Sequence, residues 1–424
     1  MRRPYTRRHL DDLLDEFQPH LRATSLNGPR GVGKTATALQ RAKSVLALDD
    51  PTDLQRLQAD PDLINTLPAP LLIDEWQRWP EVWDRVRRAV DDHQVPGRFL
   101  LTGSSAPRGV HVHSGAGRIV AFRLRPMSLP ERGFEAPSVS LAAMLKGNAQ
   151  ITGETERVLA DYVEEIVTSG LPAIRREPTP RLRQLALENY ISAIVHKEFL
   201  EAGHPIRRPE ALRAWLAAYA AATSTTATYS VILDAATPNQ GDKPTKATTI
   251  TYRDTLANLW LLDPTPAWLP HDNPLARLAQ ASKHHLADPA LAARLLGLDA
   301  AALMAGRDSR ASIRGTAMLG PLFESLVTLG VRAFADAADA RVSHLRDRDG
   351  RHEIDLIIEG PGGAIIALEI KLTATVHDGD TRHLTWLRHT LGDRVVDTAV
   401  VTTGRHAYRR SDGVAVIPAA LLGA

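Results

Sequence analysis

Eight residues between a short apolar run and an alanine-rich run constrain this chain most: Gly28-Pro29-Arg30-Gly31-Val32-Gly33-Lys34-Thr35. Their spacing is G-x-x-x-x-G-K-[ST], a loop that binds phosphate. Glycines let the backbone turn sharply with its N–H groups facing inward, forming a cradle for anionic oxygens. Lys34 supplies a cation for the outer phosphates and Thr35 a hydroxyl for Mg2+. Residues 22–27 predict the strand that enters the loop. Residues 35–47 predict the helix that leaves it, with its positive end aimed at the phosphates. The expected ligands are ATP and Mg2+.

At 424 residues the chain is long enough for two or three cores. Its 44% hydrophobic and 24% charged residues are ordinary for a globular protein. The lack of cysteine excludes disulfides, thiolate catalysis and cysteine-based zinc sites. A formal net charge of +2 does not by itself imply nucleic acid. The opening MRRPYTRRHLDDLLDEF is basic but lacks the apolar stretch of a signal peptide. No run of about 18 apolar residues is evident, so no membrane span is expected, and the lack of cysteine suits the cytoplasmic location expected here.

Along the chain, residues 10–21 predict an amphipathic helix near the nucleotide loop. Residues 24–130 alternate strand-like and helical runs, as in a parallel sheet covered by helices. Strands are expected at 71–73 and 98–101, a helix at 83–92, and an outer strand at 119–124. Residues 128–151 lose the pattern and read as a linker or lid. Residues 154–304 read as mostly helical, with a loop at 237–244. A third section follows, with a helix over 319–335 and strands at 341–346, 353–359, 364–371 and 396–402.

Pro70-Leu71-Leu72-Ile73-Asp74-Glu75 is an apolar strand ending in two acids, the Walker B pattern. Asp74 is expected to order Mg2+, and Glu75 to polarise the attacking water. The next strand ends in Thr102-Gly103-Ser104, where Thr102 and Ser104 are candidates to touch the γ-phosphate or the water. Arg118 follows a glycine-containing segment. It is a candidate to stabilise transition-state charge from a neighbouring subunit, or else a surface ion-pair residue.

The segments GPRGVGKT, LALDDPTDLQ, LLIDEWQRWPEVW, RFLLTGSS and GAGRIVAFRLRPMSLPE together resemble AAA+-type ATPases of a large bacterial and archaeal family. In that family the second half is a domain of unknown function. The resemblance covers about residues 5–132 and implies an ATPase with P-loop, Walker B and sensor positions. Residues 209–262 resemble the family's winged-helix-like segment, with one helix at 211–223 and another starting near 249. That second helix, with Lys243 and Lys246 nearby, suits either a DNA groove or a packing role.

Glu353-Ile354-Asp355 and Leu368-Glu369-Ile370-Lys371 lie on two adjacent apolar strands, so Asp355, Glu369 and Lys371 come together on a hairpin. Two carboxylates there can bind Mg2+, and the ammonium can activate a water. Glu324, on the preceding helix, is placed to close the site. This order resembles the PD-(D/E)xK nuclease superfamily, with His352 as an added residue before the second strand. Arg341, Arg346, Arg348 and Arg351 suit phosphates, but Asp347 and Asp349 interleave with them. His111, His113, His284 and His285 read as structural, the last two diverging on a helix.

The resulting expectation is an α/β protein in four parts. An AAA+-type P-loop parallel sheet with helices spans 1–135 and a linker or helical lid 136–208. A winged-helix-like helical part spans 209–304 and an α/β nuclease-like domain 305–424. It hydrolyses ATP with Mg2+ and engages DNA, RNA or a protein partner, with homo-oligomers admitted. The alternative is a nucleotide-switched regulatory or toxin–antitoxin-like binding protein with little turnover and an inactive nuclease fold.

Overall fold

Five short runs, most of them apolar, form the first sheet: β1 (Ala23–Asn27), β2 (Ser44–Ala47), β3 (Leu71–Asp74), β4 (Phe99–Thr102) and β5 (Ile119–Arg123). The computed structural model describes residues 5–93, 95–103, 116–237, 244–268, 280–305, 312–347 and 350–424. All neighbours in this sheet are parallel, in the order β2-β3-β4-β1-β5. β3 and β4 are buried along their whole length, as continuous apolar runs require when helices cover both faces. On one face Val82, Val86 and Val90 of the helix Glu81–His93 pack with Leu71, Ile73 and Phe99. On the other, Leu10 and Leu14 of the helix His9–Phe17 join the core of Leu26, Leu72 and Leu100.

The helix after the loop is shorter than expected. It runs Lys34–Leu39, and residues 44–47 are β2 rather than helix. Alanine-rich propensity favours helix there, but Val45 and Leu46 pair with Leu72 and Ile73, and sheet pairing outweighs a local preference of tenths of a kcal/mol per residue.

The middle is helical, as expected, with long elements Leu159–Thr168, Pro180–Ala193, Pro209–Ala221 and Lys246–Asn258. Trp215 and Tyr219 are buried and stacked at 5.5 Å, and Tyr252 meets Trp215 edge-on. After these helices the backbone doubles back through antiparallel bridges Leu262–Leu286 and Thr265–Lys283. His284 and His285 lie in this extended segment, not on a helix, and both are buried. Burial depresses their pKa values, which leaves them neutral packing residues.

The remaining strands are β6 (Val139–Ser140), β7 (Gly153–Glu154), β8 (Ala267–Trp268), β9 (Arg341–Arg346), β10 (Glu353–Glu359), β11 (Ile365–Ile370), β12 (Val395–Thr402), β13 (His406–Arg409), β14 (Ala415–Pro418) and β15 (Leu422–Gly423). Eight of them form a mixed sheet in the order β7-β13-β14-β12-β11-β10-β9-β8, and β6 pairs with β15. β9 to β12 lie where the sequence places them. β13, β14 and the helix Asp378–Leu391 were not foreseen. Residues 136–158 are not a free linker: β6 and β7 pair with the C-terminal strands, and Leu145 packs under Gly360. β8 likewise comes from the middle part but extends the C-terminal sheet. β6, β7 and β8 thus precede residue 305 in the sequence but pair with C-terminal strands.

Within the helix Ser312–Ala337, residues 317–337 are long and apolar enough to cross a membrane, contrary to the sequence expectation that no such run exists. Most of this stretch is buried inside the protein: Leu322, Phe323, Leu326, Val331 and Phe334 join the main core. A helix apolar on most sides is what the centre of a large core requires.

Candidate phosphate-binding site and a second charged centre

The loop Gly28–Thr35 sits between β1 and the helix Lys34–Leu39, at the C-terminal edge of the parallel sheet. Gly28 has φ +150°, and a Cβ there would lie 2.2 Å from the Leu124 carbonyl oxygen, so only glycine fits. Gly33 caps the helix with φ 107°. Arg8, buried, braces the loop from outside. Its guanidinium donates to the carbonyls of Val32 (3.1 Å) and Arg125 (2.7 Å) and pairs with Glu131 at 3.1 Å. Nothing in the spacing of the motif points to Arg8.

The side chains converge as the motif implies. Lys34 Nζ donates to the carbonyls of Gly28 (2.9 Å) and Pro29 (3.1 Å). Burial pulls its pKa down to about 8, with Glu75, Asp74 and Glu198 resisting the shift. Thr35 Oγ1 donates to Asp74 Oδ1 at 3.0 Å, and Thr102 donates its hydroxyl to the same oxygen. β1, β3 and β4 are adjacent and parallel, so their tips bring Lys34, Asp74 and Thr102 together. Thr35 and Asp74 are an all-oxygen pair suited to Mg2+. A cavity of about 290 Å³ opens here, lined by Tyr5, Arg8, Arg30, Lys34, Thr35 and Arg176 among others.

Glu75 follows Asp74 with φ 53° and ψ 42°, an uncommon conformation for a residue with a Cβ. Its carboxylate accepts from the Gln77 amide. Ser104 lies outside the described residues, as do His111 and His113. Arg118 lies away from this chain's own loop. Ala23, at the start of β1, pairs with Ile119, so Arg118 stands at the N-terminal edge of the sheet, opposite the loop. There it pairs with Asp91 at 2.6 Å.

The loop is tied to the helical middle. Tyr190 donates its hydroxyl to the Arg30 carbonyl at 3.1 Å, and the Arg30 side chain pairs with Glu198 at 3.5 Å. Beyond β5, Arg123 (3.1 Å), Arg125 and Arg332 surround the buried Asp263. Burial alone would raise this carboxyl, but the three guanidiniums hold it well below the usual carboxylate range.

Glu324, Asp355, Glu369 and Lys371 come together, with one further residue among them. β10 and β11 make the expected antiparallel hairpin. Lys371 Nζ donates to Glu369 Oε2 at 2.8 Å, and Asp355 Oδ2 accepts from the Ile370 N–H at 2.9 Å. Lys283, from the doubled-back segment, enters between the carboxylates. Its Nζ donates to Glu324 Oε1 (2.9 Å) and Asp355 Oδ1 (3.0 Å). Among the described residues no group of three or more His, Asp or Glu side chains is disposed to hold a metal. Of the expected set, Glu324 and Asp355 thus share the Lys283 ammonium, delivered by a segment 41 residues before Glu324, while Glu369 pairs with Lys371. Of the nearby arginines, Arg346 pairs with Thr226 (3.0 Å) and lies 4.0 Å from Glu353, while Arg348 is outside the described residues. His352 stacks on Trp386 at 3.8 Å.

A parallel sheet with a glycine-lined loop, a buried lysine and a strand-end aspartate defines a P-loop nucleotide-binding domain. Comparison with known proteins agrees. Residues 20–132 match the family model described as "AAA domain". Residues 159–302 and 319–422 match two models described as domains of unknown function, DUF8612 and DUF4143. Two relatives are the uncharacterized proteins Rv2008c of Mycobacterium tuberculosis and Mb2031c of Mycobacterium bovis. Each is 26% identical over 404 residues, 93% of this chain and 79% of the relative. Among solved structures, the Walker-type ATPase of Pyrococcus abyssi is 17% identical, with a TM-score of 0.41 over 70% of this chain and 99% of that one. The ORC2 protein of Aeropyrum pernix is 14% identical, with a TM-score of 0.28 over 68% and 89%.

Proposed function

We propose that this protein binds ATP at Gly28–Thr35 and hydrolyses it with Mg2+, using the change to move its helical and C-terminal parts on a partner. The observation that carries this reading is the meeting of Thr35, Thr102 and Asp74 on one carboxylate oxygen beside the buried Lys34. Thr35 and Asp74 would hold Mg2+, which would offset charge on the terminal phosphates. The loop N–H groups and Lys34 bind and orient the phosphates. Glu75 takes the proton of the attacking water once Gln77 releases it. Arg30, held by Glu198 and Tyr190, carries movement of the loop into the helical middle. ATP binding and phosphate release are measured for the wild type, Lys34→Ala and Glu75→Gln. Equal binding and turnover in all three would end this reading.

One observation favours the slower, switch-like alternative. The Gln77 amide engages the Glu75 carboxylate, so the base is held away from water. On that reading Gln77→Ala speeds hydrolysis; an unchanged rate counts against it. The helix Lys246–Asn258 and its antiparallel bridges support a winged-helix-like reading of the middle. The helix keeps Tyr252, Thr255 and Leu256 for packing, and Arg253 lies over the Tyr229 ring. Its half-buried Thr248, Thr249 and Thr251 are what it would offer to a partner.

A further inference from the structure

The centre at Glu324, Asp355 and Glu369 is organised around a tethered cation. Lys283 is 1% exposed at its side chain and fixed at its backbone, where its N–H and carbonyl bond to Thr265 at 2.9 and 2.8 Å. Its Nζ touches Glu324 and Asp355 and lies 3.8 Å from Glu353. Asp355 spends its other oxygen on the Ile370 N–H, and Glu369 spends one on Lys371. The second Glu369 oxygen, Oε1, is buried with no hydrogen-bond partner among the described residues. A hard divalent cation needs several oxygens at roughly 2.0–2.6 Å. Two ammonium groups already pair with these three carboxyl groups, and burial beside Asp355 holds Glu324 and Glu369 toward their protonated forms. A dication entering among them meets an ammonium within hydrogen-bond reach of two of its prospective ligands, in a medium that screens repulsion weakly. The donor set does not fit a metal while Lys283 is in place.

We propose that Lys283 is the resident cation of this centre and closes it to divalent metal. Loss of its charge converts Glu324, Asp355 and the unpartnered Glu369 oxygen into a divalent-cation site. The inference does not rest on the nucleotide reading, since no residue of the loop takes part.

Mn2+ is the probe, with bound ion counted from loss of the free-ion magnetic resonance signal on the full chain. Any Mn2+ held near Asp74 is common to all variants and cancels. Lys283→Met is expected to bind an additional Mn2+ per chain, and Lys283→Met/Glu369→Gln to lose it. Lys283→Arg, which keeps the charge, is expected to match the wild type. A folded Lys283→Met with no added Mn2+ would overturn the proposal. So would a wild-type equivalent that Glu369→Gln removes. This last comparison needs no change at Lys283, so it decides the matter even if Lys283→Met does not fold; equal Mn2+ binding by wild type and Glu369→Gln then supports the closed centre.

Discussion

Raising the pH from about 7.5 to about 9.5 is expected to weaken ATP binding roughly 25-fold through Lys34 alone. In the free protein burial holds Lys34 near a pKa of about 8, against an ordinary value of 10.5. Beside a triphosphate it keeps its proton to much higher pH, because an adjacent anion favours the charged form. Binding therefore takes up a proton above about pH 8, and affinity falls about tenfold per pH unit there. With the free-protein pKa at about 8, the ratio of the terms (1 + 10^(pH − pKa)) at the two pH values is about 33 over about 1.3, hence the 25-fold. The terminal phosphate of ATP is already ionised across this range and adds no slope. Stability moves the other way: the unfolded chain keeps its Lys34 proton up to about 10.4 while the folded chain releases it near 8, so this residue adds stability as pH rises between those values. Calorimetric titration in two buffers of different protonation heat measures both affinity and proton uptake. Lys34→Met should bind weakly and show no slope. A wild-type affinity that is flat over this range, or an equal slope in Lys34→Met, would refute the reasoning.

Gly28→Ala is expected to abolish nucleotide binding while the rest of the chain folds, because the new Cβ would overlap the Leu124 carbonyl; binding by fluorescence titration alongside a circular dichroism spectrum checks this. Glu75→Gln should bind ATP at close to wild-type affinity and hydrolyse it about 10²–10⁴ times more slowly, read from phosphate release. Asp263→Asn should cost about 3–5 kcal/mol in urea unfolding, because Arg123, Arg125 and Arg332 lose a buried counter-ion. Asp263 is depressed in the folded state, so its contribution is present above the unfolded carboxylate range near pH 4 and lost as pH falls below it, a loss absent in Asp263→Asn.

Lys34, Thr35, Asp74 and Thr102 were legible because each sits at a strand tip or loop position set by a few neighbouring residues. A parallel sheet then brings adjacent tips together without further instruction. Asp355, Glu369 and Lys371 were legible for the same reason, since an apolar hairpin places them by local alternation. Arg118 shows where such reasoning stops. Its distance in sequence from the loop says nothing about which edge of the sheet it occupies, and pairing of Ala23 with Ile119 puts it at the far one.

The sequence by itself determined the nucleotide loop, the strand-end acids, the helical middle and four strands of the second sheet, all of them short-range patterns. Tertiary structure decided that residues 44–47 pair as a strand, and that β6, β7 and β8 join the C-terminal strands from two distant stretches. It also placed Lys283 among three carboxylates on other elements. A buried charge is chosen by the partners that the whole fold delivers to it, and those partners carry no mark of one another along the chain.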